Sequence, residues 1–412
     1  MYNEITVNRY DMFVVLLTTC LCFGNVGGAL QVDRILAILL APAMLSVYSK
    51  AHNLYLNKLL KGLLFIYLYI FITLFWTSDS SEGLKEIVYF PVHFILMLEI
   101  IVFCRKAKNP LNSLSFGWLN MALFCSLVAI WEITTGNHLN VAREEASSYN
   151  TGMAIVQHLT ASVTFSNYNS YVTILCYSFP WIFYNLIGER KRLLVKVLSF
   201  SVLMISTVII IINASRGGVL AIISMVITYA LVSKKARSNS IVIITLIAVV
   251  AYALLQYKDT LFAVLTARAS EGGMFTDDAR TIIWSNALKT FRSSMGFGVG
   301  VGGLDASMAQ FSKGGINVTH NMFLEVLVQY GVIVFFAVLL FLWRLFKRTL
   351  TIDDQRKVVL LMSFVSMPAY FIIDSTYLLT CHFYVLIATL IVFANYELLR
   401  RNYQILWPSS QL

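Results

Sequence analysis

Long apolar runs set the terms on which this chain can fold. They recur with short polar breaks at 12–30, 34–49, 59–77, 87–104, 116–134, 166–187, 193–213, 217–232, 240–257, 321–346, 357–375 and 377–396. A helix needs about 20 apolar residues to cross a hydrocarbon layer. In lipid every backbone N–H and C=O must find a partner, which leaves only helices and closed barrels. Barrel strands alternate in polarity, and these runs do not. The expected fold is therefore an all-α integral membrane protein of about twelve transmembrane helices. An apolar fraction of 58% with 13% charged residues agrees, since soluble domains lie nearer half and a quarter.

The formal net charge of +10 does not point to nucleic acid, because of where it lies. Lys and Arg cluster at 50–61, 105–108, 190–196, 234–237, 344–357 and 400–401, in every second connection. That is the positive-inside pattern. It predicts cytoplasmic termini and an outer face formed by 31–33, 78–86, 135–165, 214–216, 258–320 and 376. The first run lacks a good cleavage site after Gly24, Asn25, Gly27 and Gly28, so it reads as an uncleaved span. The six cysteines lie in or near spans and suggest neither a disulfide framework nor a zinc site. The chain reads as one polytopic domain over 1–401, with a short cytoplasmic tail at 402–412. No internal repeat of the transporter kind is visible.

The polar stretch 258–320, between the ninth and tenth spans, is the chemically furnished part. Thr276-Asp277-Asp278 reads as a helix start. Ile283, Ala287 and Phe291 then share one face at helical spacing. An amphipathic helix is predicted over roughly 278–292. A glycine run from Gly296 to Gly303 breaks it. Gly298, Gly300 and Gly303 match the letters of a dinucleotide fingerprint, but that motif needs a preceding strand and a following helix. A tight turn, or close backbone approach to a glycan or to other helices, is the expectation.

His320 stands where the loop enters a span. A helix N-terminus disfavours added positive charge, which favours the neutral imidazole able to take a proton. The plainer alternative is an interfacial histidine bonded to backbone, with Asn321 as a helix cap. Arg216, in Asn213-Ala214-Ser215-Arg216-Gly217-Gly218, interrupts two apolar runs. Its planar fork suits a phosphate or pyrophosphate; snorkelling to lipid phosphates is the alternative. Arg280 falls in the first turn of the loop helix, flanked by Arg268 and Arg292. Asn167 and Asn169 open the sixth span, where they suit sugar hydroxyls or simple capping. Glu325 and Asp374 lie near the outer surface, placed to support a histidine or an arginine. No HExxH or close His/Asp cluster suggests a metal, and no cofactor is expected.

Several of these features occur in one order: Phe165-x-Asn167-x-Asn169 opening a span, Ser215-Arg216-Gly217-Gly218, Arg280-x-x-x-Trp284, Gly296-x-Gly298-x-Gly300, and His320-Asn321-x-x-Leu324-Glu325 followed by Tyr330-Gly331. This order, over about 165–335, resembles the bacterial O-antigen ligase and O-antigen polymerase superfamily. The resemblance implies a membrane glycosyltransferase related to the C-type fold, in the bacterial inner membrane. Its donor would be a glycan on undecaprenyl pyrophosphate, used on the periplasmic face without nucleotide sugar or metal. Arg216 and Arg280 would correspond to donor-pyrophosphate arginines and His320 to the histidine near the acceptor hydroxyl. Ser215, Trp284, Asn321, Glu325, Asn167 and Asn169 would line the substrate. The expected partners are that donor, a lipid-linked or lipid A core acceptor, membrane lipids and a chain-length regulator. Polymerase is the first expectation for O-antigen or capsule; ligase and a flippase of lipid-linked sugars are the alternatives.

Overall fold

The computed structural model describes residues 7–49, 54–141, 160–165, 167–188, 191–233, 277–311 and 318–405. Among these the chain is helical, without strands. The helices are α1 (Arg9–Thr19), α2 (Val32–Ser49), α3 (Leu54–Ile72), α4 (Ser80–Lys106), α5 (Pro110–Thr135), α6 (Tyr168–Ile187), α7 (Leu193–Ile212), α8 (Arg216–Val232), α9 (Asp277–Ser293), α10 (Leu304–Ala309), α11 (Met322–Leu350), α12 (Gln355–Tyr370) and α13 (Cys381–Ile405). Among the described residues, seven helices are long and apolar enough to cross a membrane: α2, α4, α5, α7, α11, 55–75 and 381–399. Eleven of the twelve apolar runs overlap described helices; 240–257 lies outside the described residues.

The helices begin where short polar side chains accept the free backbone N–H groups of a first turn. Asn8, Asp79, Asn167, Ser215, Asn321 and Asp354 all do this. Asp11 completes a capping box with Asn8. It also accepts the N–H groups of Lys108 and Asn109 and the Ser113 hydroxyl at 3.0, 2.9 and 2.8 Å, which pins α1 to the α4–α5 turn.

The core is built from α4, α5, α6 and α13. α1 and α2 pack on α4, α7 packs on α5 and α6, and α8 packs on α12. Trp118, Trp181, Tyr171 and Tyr177 are shut from solvent there. α3 sits at the rim with most of its apolar surface outward. α9 is different in kind: it is polar on average and lies against α11 and α10. It occupies Asp277–Ser293, where the amphipathic pattern predicts a helix. Ile283 and Ala287 bury against Leu304, Met308 and Val328, with Trp284, Phe291 and Leu324 closing the cluster.

Candidate functional site

At one end of the bundle, the starts of α6, α8 and α11 meet the corner 369–376 that follows α12. The Met322 N–H donates to the Phe371 carbonyl at 2.9 Å. Glu325, buried in the first turn of α11, accepts the Thr376 N–H at 2.8 Å. Ser170, in the first turn of α6, sits beside the buried Asp374. A Cβ on Gly217 would lie 2.8 Å from Ile373 Cγ1 and 3.1 Å from the Ala369 carbonyl oxygen. Glycine there lets the start of α8 close onto the same corner. This end therefore gathers Asn167, Asn169, Ser215, Arg216, His320, Asn321 and Glu325, although they span more than 150 residues of sequence.

His320 adopts φ +45°, a region few residues other than glycine enter. Its neighbours hold it there. The Trp284 indole N–H donates to the Thr319 carbonyl at 3.0 Å on one side, and the Met322–Phe371 bond fixes the other. The side chain is half-buried, and its Nδ1 is closed off from solvent without a hydrogen-bond partner. Burial, and after it the positive charge of Arg280, push the imidazole down from 6.5 to about 4. The ring is thus neutral at neutral pH, as the sequence implies, but desolvation is the main cause.

Arg280 and Trp284 stand one helical turn apart on α9, at the spacing that puts side chains on a common face. The charge of Arg280 bears on His320, and Trp284 bonds the residue beside it. The structure thus brings Arg280, Trp284 and His320 together. Arg216 is exposed as the first residue of α8, at the same end of the bundle across the 369–376 corner. Its position is set from behind. Ser215 Oγ accepts the Gly218 N–H at 3.2 Å. Asn213 is buried and clasps Ala161 in both directions, accepting its N–H at 2.8 Å and donating to its carbonyl at 3.1 Å. Ala214 takes φ +48° in the tight turn between. Arg268 lies outside the described residues, and Arg292 ends α9 away from the start that carries Arg280.

Several candidates have polar atoms committed to the fold. Asn167 Oδ1 accepts the Ser170 N–H at 2.9 Å. Asn321 Oδ1 accepts those of Phe323 and Leu324 at 3.1 and 3.2 Å. These are the capping alternatives, realised. They give the two asparagines a positioning role whatever else their amide N–H groups contact. Asn169 sits half-buried beside Asn167. Among the described residues, no three His, Cys, Asp or Glu side chains converge to hold a metal ion.

The glycine run is a seam between backbones. Every amide from Phe297 to Gly303 is already used. Phe297 donates to the Ser294 carbonyl, Gly298 to Ser294 Oγ, and Val299 and Gly300 to the Val328 and Gln329 carbonyls. Val301 donates to Thr73 Oγ1, Gly302 to Glu86 and Gly303 to the Gly300 carbonyl. A phosphate cradle requires free N–H groups, and none of these seven is free. Gly296, Gly298, Gly300 and Gly302 all have φ between +72° and +88°. A Cβ on Gly298 would lie 2.4 Å from the Gly331 nitrogen, and one on Gly302 would lie 2.2 Å from the Gly83 nitrogen. The run is thus the close approach to other helices that the sequence allows. Two residues that hold this end escape the sequence reading: Glu86, on the glycine run, and Glu132, which accepts the Ser162 and Val163 N–H groups at 2.9 and 2.8 Å. The available signal was a carboxylate beside or inside an apolar run.

Comparison with known proteins bears on the same residues. A family model described as O-antigen ligase matches residues 199–339, a stretch holding Arg216, Arg280, Trp284, the glycine run and His320. The Teichuronic acid biosynthesis protein TuaE of Bacillus subtilis (strain 168) is 23% identical over 311 residues, which is 72% of this chain and 62% of that protein. The chain spans less than two thirds of that relative's length. The ordered motifs and these two matches agree: this chain is similar to the O-antigen ligase and polymerase superfamily, and its residues 199–339 carry that family's pattern.

Proposed function

We propose that this chain is a membrane glycosyltransferase that lengthens a polysaccharide. It takes a glycan from undecaprenyl pyrophosphate and passes it to a lipid-linked repeat unit on the outer face of the bacterial inner membrane. The observation that carries this reading is that His320, strained and half-buried at the start of α11, lies within the field of Arg280 and is fixed beside Trp284. Supporting it is Arg216, at the same end of the bundle. In this reading the acceptor hydroxyl oxygen attacks the anomeric carbon of the donor sugar. The bond from that carbon to the pyrophosphate oxygen breaks, and undecaprenyl pyrophosphate leaves with the electron pair. Arg216 and Arg280 stabilise the charge that builds on it. His320 orients the hydroxyl and receives its proton. An imidazole near 4 is a weak base by itself, and efficient proton transfer wants a value closer to the working pH. Pyrophosphate bound at Arg280 offsets the charge that depresses His320, so donor binding makes the histidine a better base. The full arrangement in this reading is twelve spans, both termini in the cytoplasm and 258–320 outside, as the Lys/Arg distribution supports.

A ligase that delivers the glycan to lipid A core is the second reading, favoured by the description of the matching family model. A relative named for teichuronic acid biosynthesis suits the polymerase. Purified protein, incubated with a defined undecaprenyl-linked repeat unit with and without lipid A core, separates the two. Lengthening of the lipid-linked glycan without core supports the polymerase, and transfer only onto core supports the ligase. Movement of the lipid across vesicles with neither reaction would overturn both in favour of a flippase.

A further inference from the structure

We infer that Glu86 is a positioning residue for the transfer site, clamping the glycine run onto α11 so that α9 presents Arg280 to His320. This inference rests on the glycosyltransferase reading. Glu86 is buried in the second turn of α4. One of its carboxylate oxygens, Oε2, accepts three hydrogen bonds: from the Gly302 N–H at 3.1 Å, the Gln329 amide at 2.7 Å and the Tyr330 hydroxyl at 3.1 Å. It thereby joins α4, the end of the glycine run and the residues just before Gly331.

At Gly331 the helix α11 breaks, with φ 76° and ψ −175°. The break frees local backbone groups, and the glycine run takes them up. The Val328 and Gln329 carbonyls accept from Val299 and Gly300, and the Val332 N–H donates to the Gly296 carbonyl at 3.0 Å. Trp76, Ser78 and Thr73, which follow α3, bond the run on one side, and Val301 buries in the core. Glu86 adds the side-chain tie from the run to α11, because one carboxyl oxygen there accepts donors from Gly302, Gln329 and Tyr330. The run connects directly to α9 through Ser294–Gly296. A slip of the seam therefore moves the helix that carries Arg280 and Trp284 relative to the start of α11 that carries His320. An apolar residue of similar size would fill the space equally well, so packing alone does not account for an acceptor oxygen here.

The test compares Glu86→Leu with Glu86→Gln, whose carbonyl oxygen still accepts the three donors. Two readouts are taken on purified, folded protein in nanodiscs: amide hydrogen exchange over 296–303, and donor KM against acceptor KM in the transfer assay. In Glu86→Leu, exchange over 296–303 should accelerate, donor KM should rise and acceptor KM should hold. Misplacement of a reacting group by even 1 Å costs on the order of 10²-fold, and kcat/KM for donor should fall on that scale. Glu86→Gln should restore most of both. Should Glu86→Leu not fold, Tyr330→Phe and Gln329→Met each remove one bond and carry the same test. Unchanged exchange in a folded Glu86→Leu protein, or an equal rise of both KM values, overturns the positioning role. A wild-type protein that transfers no glycan sinks the glycosyltransferase reading instead, and the exchange comparison still decides whether the clamp exists.

Discussion

Replacing Arg280 with Gln removes a charge that bears on His320 while keeping a side chain of similar reach. His320 is held at about 4 against an ordinary 6.5, with burial the larger cause and Arg280 the smaller. One pKa unit is worth about 1.4 kcal/mol, so the whole depression amounts to roughly 3 kcal/mol. Arg280 accounts for less than half of that. The Arg280→Gln variant should therefore titrate His320 above the wild-type midpoint but still below the midway point between 4 and 6.5. The assay is histidine NMR on isotope-labelled protein in nanodiscs, with the resonance assigned through His320→Gln among the six histidines. Saturating pyrophosphate on wild-type protein should move the midpoint the same way, because it offsets the same charge. On Arg280→Gln it should move it much less. A His320 midpoint that is identical in wild type and Arg280→Gln refutes the pairing of the two groups. A midpoint that responds to pyrophosphate equally in both proteins refutes the route through Arg280.

Other outcomes test the rest of the site and its frame. His320→Ala should lower kcat by about 10²–10⁴-fold, the range for a group assisting proton transfer, with donor binding nearly intact in a lipid-pyrophosphate binding assay. Arg216→Lys keeps the charge but loses the bidentate fork; together with Arg216→Ala it should reduce kcat, the alanine by about 10²–10³-fold, as read by product formation on gels. Gly298→Ala should destabilise by roughly 3 kcal/mol or more, because φ is +82° and the new Cβ would meet the Gly331 nitrogen; thermal unfolding in detergent measures it. Acid should weaken the fold through His320. Its folded value lies below the unfolded one, so the unfolded chain binds the extra proton, and stability is lost as pH falls from 6.5 to 4. His320→Gln should flatten that part of a melting-temperature profile.

Local pattern along the chain dictated the helices and many of their starts. Apolar length and the demand that backbone groups be paired in lipid left no other regular structure for these runs. Short polar side chains at Asn167 and Asn321 announced helix starts, and the 3.6-residue spacing of Ile283, Ala287 and Phe291 announced α9. Those signals sit within a few residues of what they specify. Which surfaces meet emerged only once the helices were packed. Packing pressed Gly298 and Gly302 against Gly331 and Gly83, and it put Arg280 beside His320. It also gave Glu86 three donors from two distant segments. The reason is physical: a glycine or a carboxylate in sequence declares only what it permits, a close approach or several acceptor bonds. Which partner takes up that permission is fixed by how helices far apart in the chain pack.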